Sequence, residues 1–262
     1  MKLKDFIKGL NEMYPLENKE IWDPSGYSVK FNQAKKLRGV ILAIDLTSET
    51  IQAAIQNDCN LILTHHPFYF EATKQAEKEK SPYKLELHKL LKEHQITAFA
   101  MHTNYDCDSK GTSYQIAKFL GLEDYVKTDS QKFSAELEGY PFTINNLTKL
   151  FNKRLGFESF RTNVKQSFWD KTFPRIAILS GSGYIGQIND LHFNNTDLII
   201  TSDFRWSDWI NFKELNINIL EVPHLDEEVF AFHMQKLLSA KFPKEKFIVI
   251  KTKEPYQNIT IK

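Results

Sequence analysis

Two adjacent imidazoles, His65 and His66, end the apolar run Leu61-Ile62-Leu63-Thr64, and Pro67 closes it. The run reads as a buried strand, and the carboxyl end of such a strand is where an α/β protein presents functional groups. Neutral imidazoles gathered at one point call for a partner, and a divalent metal is the usual one. Two more strand ends offer the same donor types. Phe99-Ala100-Met101 ends at His102, with Asp106 four residues on, and Ile219-Leu220-Glu221-Val222-Pro223 ends at His224, with Glu228 four residues on. Imidazole together with carboxylate suits zinc, manganese, iron or nickel rather than calcium, which prefers all-oxygen shells. Five or six such donors are too many for one tetrahedral shell and suit a dinuclear site about 4 Å across.

Plainer roles compete at each position. A lone strand-end histidine ordinarily caps or packs. Glu227 rivals Glu228 as a ligand; Glu228 is preferred for its spacing, on a helix that Pro223 can start. Ser180-Gly181-Ser182-Gly183 follows a strand and reads either as a phosphate cradle of backbone N–H groups or as a tight turn. The cluster Phe204-Arg205-Trp206-Ser207-Asp208-Trp209 either stacks a nucleotide or packs as an aromatic helix face. Cys107 lies between Asp106 and Asp108, whose charges oppose a reactive thiolate. His88, His94, His192 and His233 fall in helices or polar loops, where packed or solvated roles are expected.

The elements that must position these residues alternate. Val40 to Ile44 reads as a buried strand, and Thr47 or Ser48 caps a helix running to Gln56. The His-His strand follows, then a polar, lysine-rich stretch from Glu71 to Lys80. Ser81-Pro82 opens a helix carrying Leu87, Leu90 and Leu91, and Ile96 to Met101 is the third strand. A helix with Ile116, Phe119 and Leu120 stops at Gly121. From about 128 to 171 the pattern is weaker and carries no chemical motif.

The second half echoes the first. Leu198-Ile199-Ile200-Thr201-Ser202-Asp203 aligns with the His-His strand; Ile176 to Leu179 aligns with Val40 to Ile44. The expected fold is therefore α/β: two related modules with mainly parallel sheets flanked by helices, and a metal site at strand C-terminal ends. One lobe is expected to take residues 1–128 with 221–262 and most of the ligands, the other residues 129–220.

Composition narrows the class. A chain of 262 residues with 42% hydrophobic and 26% charged residues has enough apolar content for a sizeable core. Net charge is +1, from 34 basic and 33 acidic residues, so no strong field signals nucleic acid or a membrane surface. Two cysteines are too few for a disulfide framework, and a reducing, cytoplasmic setting is expected. No segment approaches the ~20 apolar residues of a membrane span, and Met1 to Ile7 lacks a signal-peptide core.

Six motifs in order carry a resemblance. They are Trp22-Asp23, Ala43-Ile44-Asp45-Leu46-Thr47, Thr64-His65-His66-Pro67, His102-Thr103-Asn104-Tyr105-Asp106, Gly181-Ser182-Gly183, and His224 to Glu228. Over nearly its whole length the chain resembles the Ngg-interacting-factor-three family, often labelled type 2 GTP cyclohydrolase homologues. The resemblance implies a dinuclear site of two divalent transition metal ions per chain, held by His65, His66, Asp106, His224 and Glu228. His102 lies close by, as general base or further ligand. It also implies a toroidal homohexamer and the short form without an inserted domain. The implied reaction is attack by metal-held hydroxide on the guanine imidazole ring of GTP, with formate release. A nucleotide or another phosphorylated small molecule is the expected partner. A two-metal phosphoesterase and a non-catalytic metal-binding hexameric scaffold are the alternatives. Two motifs depart from the family. Its last motif, Gly-His-Tyr-Ala-Thr-Glu, is here Pro223-His224-Leu225-Asp226-Glu227-Glu228, and Ser207 stands where a histidine is usual.

Overall fold

The computed structural model describes residues 1–259. Its strands, in chain order, are β1 (Gly26–Val29), β2 (Val40–Ala43), β3 (Leu61–Thr64), β4 (Thr97–Ala100) and β5 (Ser134–Phe142). Then come β6 (Arg161–Thr162), β7 (Phe173–Leu179), β8 (Leu198–Thr201), β9 (Ile219–Glu221) and β10 (Phe247–Val249). The helices are α1 (Leu3–Met13), α2 (Ser48–Gln56), α3 (Lys74–Lys80), α4 (Lys84–Glu93) and α5 (Thr103–Asp106). They continue with α6 (Thr112–Phe119), α7 (Ile144–Leu155), α8 (Ile185–Phe193), α9 (Trp206–Leu215) and α10 (Val229–Lys241).

The chain forms two units. The first is Met1–Asp108 with Phe230–Lys253, and the second is Ser109–Val229 with a short return from Glu254. These boundaries differ from 128 and 221. Helix α6 contributes Ile116 and Ala117 to the core of the second sheet, so the crossing comes before it. His224 to Glu228 accordingly belong to the second unit. Residues 260–262 of the expected first lobe lie outside the described residues.

In the first unit the strand order is β1-β4-β3-β2-β10, with β10, β2, β3 and β4 parallel and β1 antiparallel at the edge. Strands β2, β3 and β4 are buried at every position, because helices cover both faces. Alternate side chains feed opposite cores. Val40, Leu42, Leu61 and Leu63 meet Phe6 and Leu10 of α1 and Met234 and Leu238 of α10. Ile41, Ile62 and Ala98 meet Ile51 of α2 and Leu91 of α4 on the other side. Thr47 caps α2 in a reciprocal pair with Thr50.

The second unit repeats the scheme. Its order is β5-β7-β8-β9-β6, with β7, β8 and β9 parallel and both edges antiparallel. The expected strand echo is thus matched by β2-β3-β4 and β7-β8-β9, each a parallel run in the same sequential order, with β10 added beside β2 in the first sheet. Ile176, Ile178, Leu198 and Ile200 pack with α6 and α7, whereas Ala177, Ile199 and Ile219 pack with α8 and α9.

Two stretches are more ordered than their composition suggests. Lys74–Lys80 is a helix capped by the Thr73 side chain, and the stretch from 128 to 171 supplies β5, α7 and β6. No helix among the described residues is long and apolar enough to cross a membrane. Phe151 is fully buried on α7 and stacks on Phe157 at 6.0 Å. Phe151→Ala is expected to destabilise the second unit by about 3–5 kcal/mol, read as a lower denaturant midpoint for its unfolding transition.

Candidate metal centre

β3 lies in the middle of the first sheet, and its ladder runs on past Thr64: His65 N–H donates to Ala43 O at 3.1 Å and His66 N–H to Ile44 O at 2.9 Å. Both histidines sit on a bend just past the strand, with their backbone N–H groups held by the neighbouring strand's end. His65 is completely buried, and its Nδ1 lies 3.0 Å from Met101 O. A carbonyl only accepts, so Nδ1 carries the proton and Nε2 is the lone-pair edge. His66 Nδ1 lies 2.9 Å from Asp45 Oδ1, the carboxylate–imidazole pairing that orients metal-binding histidines. His102, next to the end of β4, has Nδ1 at 3.4 Å from Asp23 Oδ1.

The nitrogens of His65, His66 and His102 converge, one from each lying within 4.8 Å of the others. Asp106 follows one helical turn after His102, its N–H donating to His102 O at 3.0 Å, and its Oδ1 lies 3.6 Å from His65 Nε2. That separation is too long for a hydrogen bond. It matches two ligands of one ion: donors about 2.1 Å from a tetrahedral metal lie about 3.4 Å apart. The donor set thus fits a divalent transition ion in both chemistry and spacing. Phe230 backs the cluster, its ring 5.1 Å from that of His65.

Asp23 anchors His102 from a buried site. It accepts from Ser25 N at 2.9 Å, Ser25 Oγ at 2.7 Å and Thr103 N at 3.0 Å, and also from the Thr103 hydroxyl. Burial pushes its pKa up, but the hydrogen bonds from His102, Thr103 and Ser25 outweigh that. They hold the carboxyl well below its ordinary range, so it stays charged.

The second unit gathers its own donors. His224 Nδ1 lies 2.6 Å from Asp203 Oδ2, just beyond β8, and Nε2 lies 3.0 Å from Glu227 Oε2. The segment His224–Glu228 is a 3-10 helix, so residues three apart share a face and the histidine meets Glu227. Spacing by four, on which Glu228 was preferred, presumes an α-helix; that geometry holds for His102 and Asp106. Burial lowers the His224 pKa, but the Glu227 and Asp203 carboxylates reverse this and raise it to about 11. Asp226 is fully buried, and burial together with the Glu227 charge pushes its pKa well above the ordinary value.

Three N–H groups of the Ser180–Gly183 turn bond within the protein, one of them to Asp226. Gly181 N–H donates to Asp226 Oδ1 at 3.3 Å, Gly183 N–H to Thr201 Oγ1 at 2.9 Å and Ser180 N–H to Ser113 Oγ at 3.0 Å. Gly181 has φ +53°, and a methyl group there would collide with the Glu227 carboxylate. The aromatic run beyond β8 is mainly core: Trp209 packs on Phe204 at 5.5 Å and Phe212 at 6.0 Å, while Trp206 is exposed. His88 and His233 pair with the Tyr69 and Tyr105 hydroxyls, and Cys59 and Cys107 are unbridged. Sequence reading missed Asp23, Asp45 and Asp203 as orienting groups. Each lies within a segment already singled out, its role as an acceptor for a neighbouring imidazole being set by contacts that spacing does not show.

The description Duf34/NIF3 (NGG1p interacting factor 3) matches residues 1–255. The chain belongs to that family. A Mycoplasmopsis pulmonis relative, described as a GTP cyclohydrolase 1 type 2 homolog, is 35% identical over 90% of this chain and 92% of its own length. One from Ureaplasma parvum, described in the same words, is 28% identical over 88% of this chain and 87% of its own. A Staphylococcus aureus hypothetical protein of solved structure superposes with a TM-score of 0.85 at 23% identity, over 99% of both chains. A Bacillus cereus protein related to NIF3 does so at 0.79 and 18%, again over 99% of both chains. At those identities the structures support the family fold.

Two outcomes are expected from the second-unit donors. Gly181→Ala should cost about 1–2 kcal/mol or more through its left-handed backbone and the displaced Glu227, read as a lower unfolding midpoint. The raised His224 pKa stabilises the metal-free fold fully below about pH 6.5, its ordinary value, and that contribution fades as pH rises toward about 11. Zinc loading at pH 7 should therefore release about one proton from this imidazole, read by calorimetry in two buffers of different ionisation enthalpy.

Proposed function

We propose that this chain is a metal-dependent hydrolase acting on a nucleotide or a related phosphorylated small molecule. GTP is the first candidate, with opening of the guanine imidazole ring and release of formate as the reaction. The observation that carries the reading is the convergence of the His65, His66 and His102 nitrogens in the first unit, with the Asp106 carboxylate beside them. The descriptions of the relatives as GTP cyclohydrolase 1 type 2 homologues favour the substrate.

His65, His66 and Asp106 are assigned as ligands, and in the second unit His224 with Glu227 or Glu228. That donor count exceeds one tetrahedral shell and favours two ions per chain, with zinc, iron, manganese and nickel all compatible. Bound ions of this kind supply Lewis-acid polarisation and activate water near neutral pH. The protein's own groups contribute orientation. Met101 O, Asp45 and Asp203 each hold one Nδ1 edge and so fix which nitrogen faces outward. His102, held by the charged Asp23, is assigned as the general base or an additional ligand. The working form is proposed to be a cytoplasmic homohexamer, an assembly taken from the family resemblance.

The test is formate release from GTP by protein loaded in turn with each of the four metals. Wild type is expected to turn over, and His65→Ala to lose at least about 100-fold in metal affinity and in rate. Two equivalents of bound metal with no product from GTP or a generic phosphodiester would instead support a scaffold. Phosphodiester cleavage without formate would support a phosphoesterase.

A further inference from the structure

Two exposed rings stand at the histidine cluster, and the reading above gives them no task. Trp22 is 60% exposed and Phe70 is 42% exposed. Each meets the His102 imidazole near edge-on, with centroids 5.8 Å away, and their own centroids are 6.1 Å apart. Large apolar side chains left in water beside a polar cluster call for an occupant.

Both rings sit on backbone that is fixed from below. The Trp22 turn closes through Asp23 N–H to Glu20 O at 3.0 Å. Its start is tied by Glu20 N–H donating to Thr103 Oγ1 at 2.9 Å, and its end by the Asp23 carboxylate on Thr103 and Ser25. Thr103 directly follows His102, so the turn is anchored to the segment that carries that imidazole. Phe70 is held differently. Phe70 N–H and Glu71 N–H both donate to Glu77 Oε2, at 2.7 and 2.8 Å, and Lys84 Nζ lies 2.6 Å from Glu77 Oε1. That carboxylate is buried on α3, so the helix in the lysine-rich stretch pins the loop bearing the ring.

A rigid, exposed aromatic surface binds at little ordering cost, which suits a flat partner. Its size is also informative. Trp22 and Phe70, with Ile21 next in the chain, make a small exposed apolar surface, well short of the about 800 Å² per partner of a stable protein interface. One heteroaromatic ring system matches it.

We propose that Trp22, supported by Phe70, is a base-stacking platform that receives a purine ring and presents it to the His65-His66-His102 cluster. The proposal deepens the nucleotide reading and rests on it for the chemistry, but stacking is measurable without turnover.

The experiment is calorimetric titration of the zinc-loaded, full-length protein with GMP and, as a control lacking the base, ribose 5-phosphate. Zinc content and sedimentation mass are recorded for every sample. Wild type is expected to bind GMP about tenfold or more tighter than ribose 5-phosphate. Trp22→Ala should weaken GMP binding about tenfold, leaving ribose 5-phosphate affinity and zinc content unchanged, and Trp22→Phe should recover most of the loss. Phe70→Ala, expected to give a smaller loss, provides the reading should Trp22→Ala not fold. Equal affinity for the two ligands in wild type would overturn the platform and leave the metal site standing. A Trp22→Ala protein that keeps its GMP affinity but changes sedimentation mass would also overturn it, assigning the rings to contact with a second copy. Base selectivity dependent on Trp22 in protein that takes up no zinc would uphold the platform and reject the metal reading.

Discussion

An imidazole can hold a metal only through a nitrogen that carries no proton, so its other nitrogen needs a fixed acceptor. The arrangement of the strand ends follows from that requirement. His65 turns Nδ1 to Met101 O, beyond β4, and His66 turns Nδ1 to Asp45, beyond β2. The acceptors thus come from the two strands that flank β3. They are level with the histidines because the register is level: Ala43 pairs with Thr64, and Thr64 with Ala100. A slip of one residue would turn each imidazole to the opposite face of the sheet. The second unit meets the same requirement with Asp203 beyond β8 and His224 beyond β9.

Register of that kind has to be enforced, and both units enforce it by burial. Four-residue strands pair only briefly, so the alternating apolar positions of β2, β3 and β4, packed between helices on two faces, decide the alignment. In β2, β3 and β4 no charge falls within the strands. Asp23, buried at 2% exposure, collects donors from Ser25 and Thr103, and Glu77 does so from Phe70, Glu71 and Lys84. Asp23 replaces its lost water with four short contacts and Glu77 with three, the condition under which a buried charge is tolerated.

Much of this was legible in the chain. Apolar runs ending in histidine marked β3, β4 and β9, and Gly121 marked the stop of α6 with a φ of +80°. The parallel cores followed from strands alternating with helices, and the motif order pointed to the family. What was hidden depended on details that sequence spacing does not encode. His224 meets Glu227 because the turn after Pro223 tightens to 3-10, and Leu225, Asp226 and Glu227 have no pattern that separates 3-10 from α. The boundary near residue 108 depends on which sheet α6 packs against, and both sheets would accept Ile116 and Ala117. Ser180–Gly183 has the composition of an anion cradle, but the N–H groups of Ser180, Gly181 and Gly183 are already taken by Ser113, Asp226 and Thr201.

The claim on which the account stands is that these histidines are metal ligands rather than packed or capping residues. Zinc K-edge X-ray absorption on the loaded protein addresses it without reference to any substrate. The account predicts a shell of nitrogen and oxygen near 2.0–2.1 Å, with the outer-shell scattering of at least about two imidazoles per zinc and no sulfur near 2.3 Å. An oxygen-only shell lacking imidazole scattering, or a sulfur shell from Cys59 or Cys107, would contradict it.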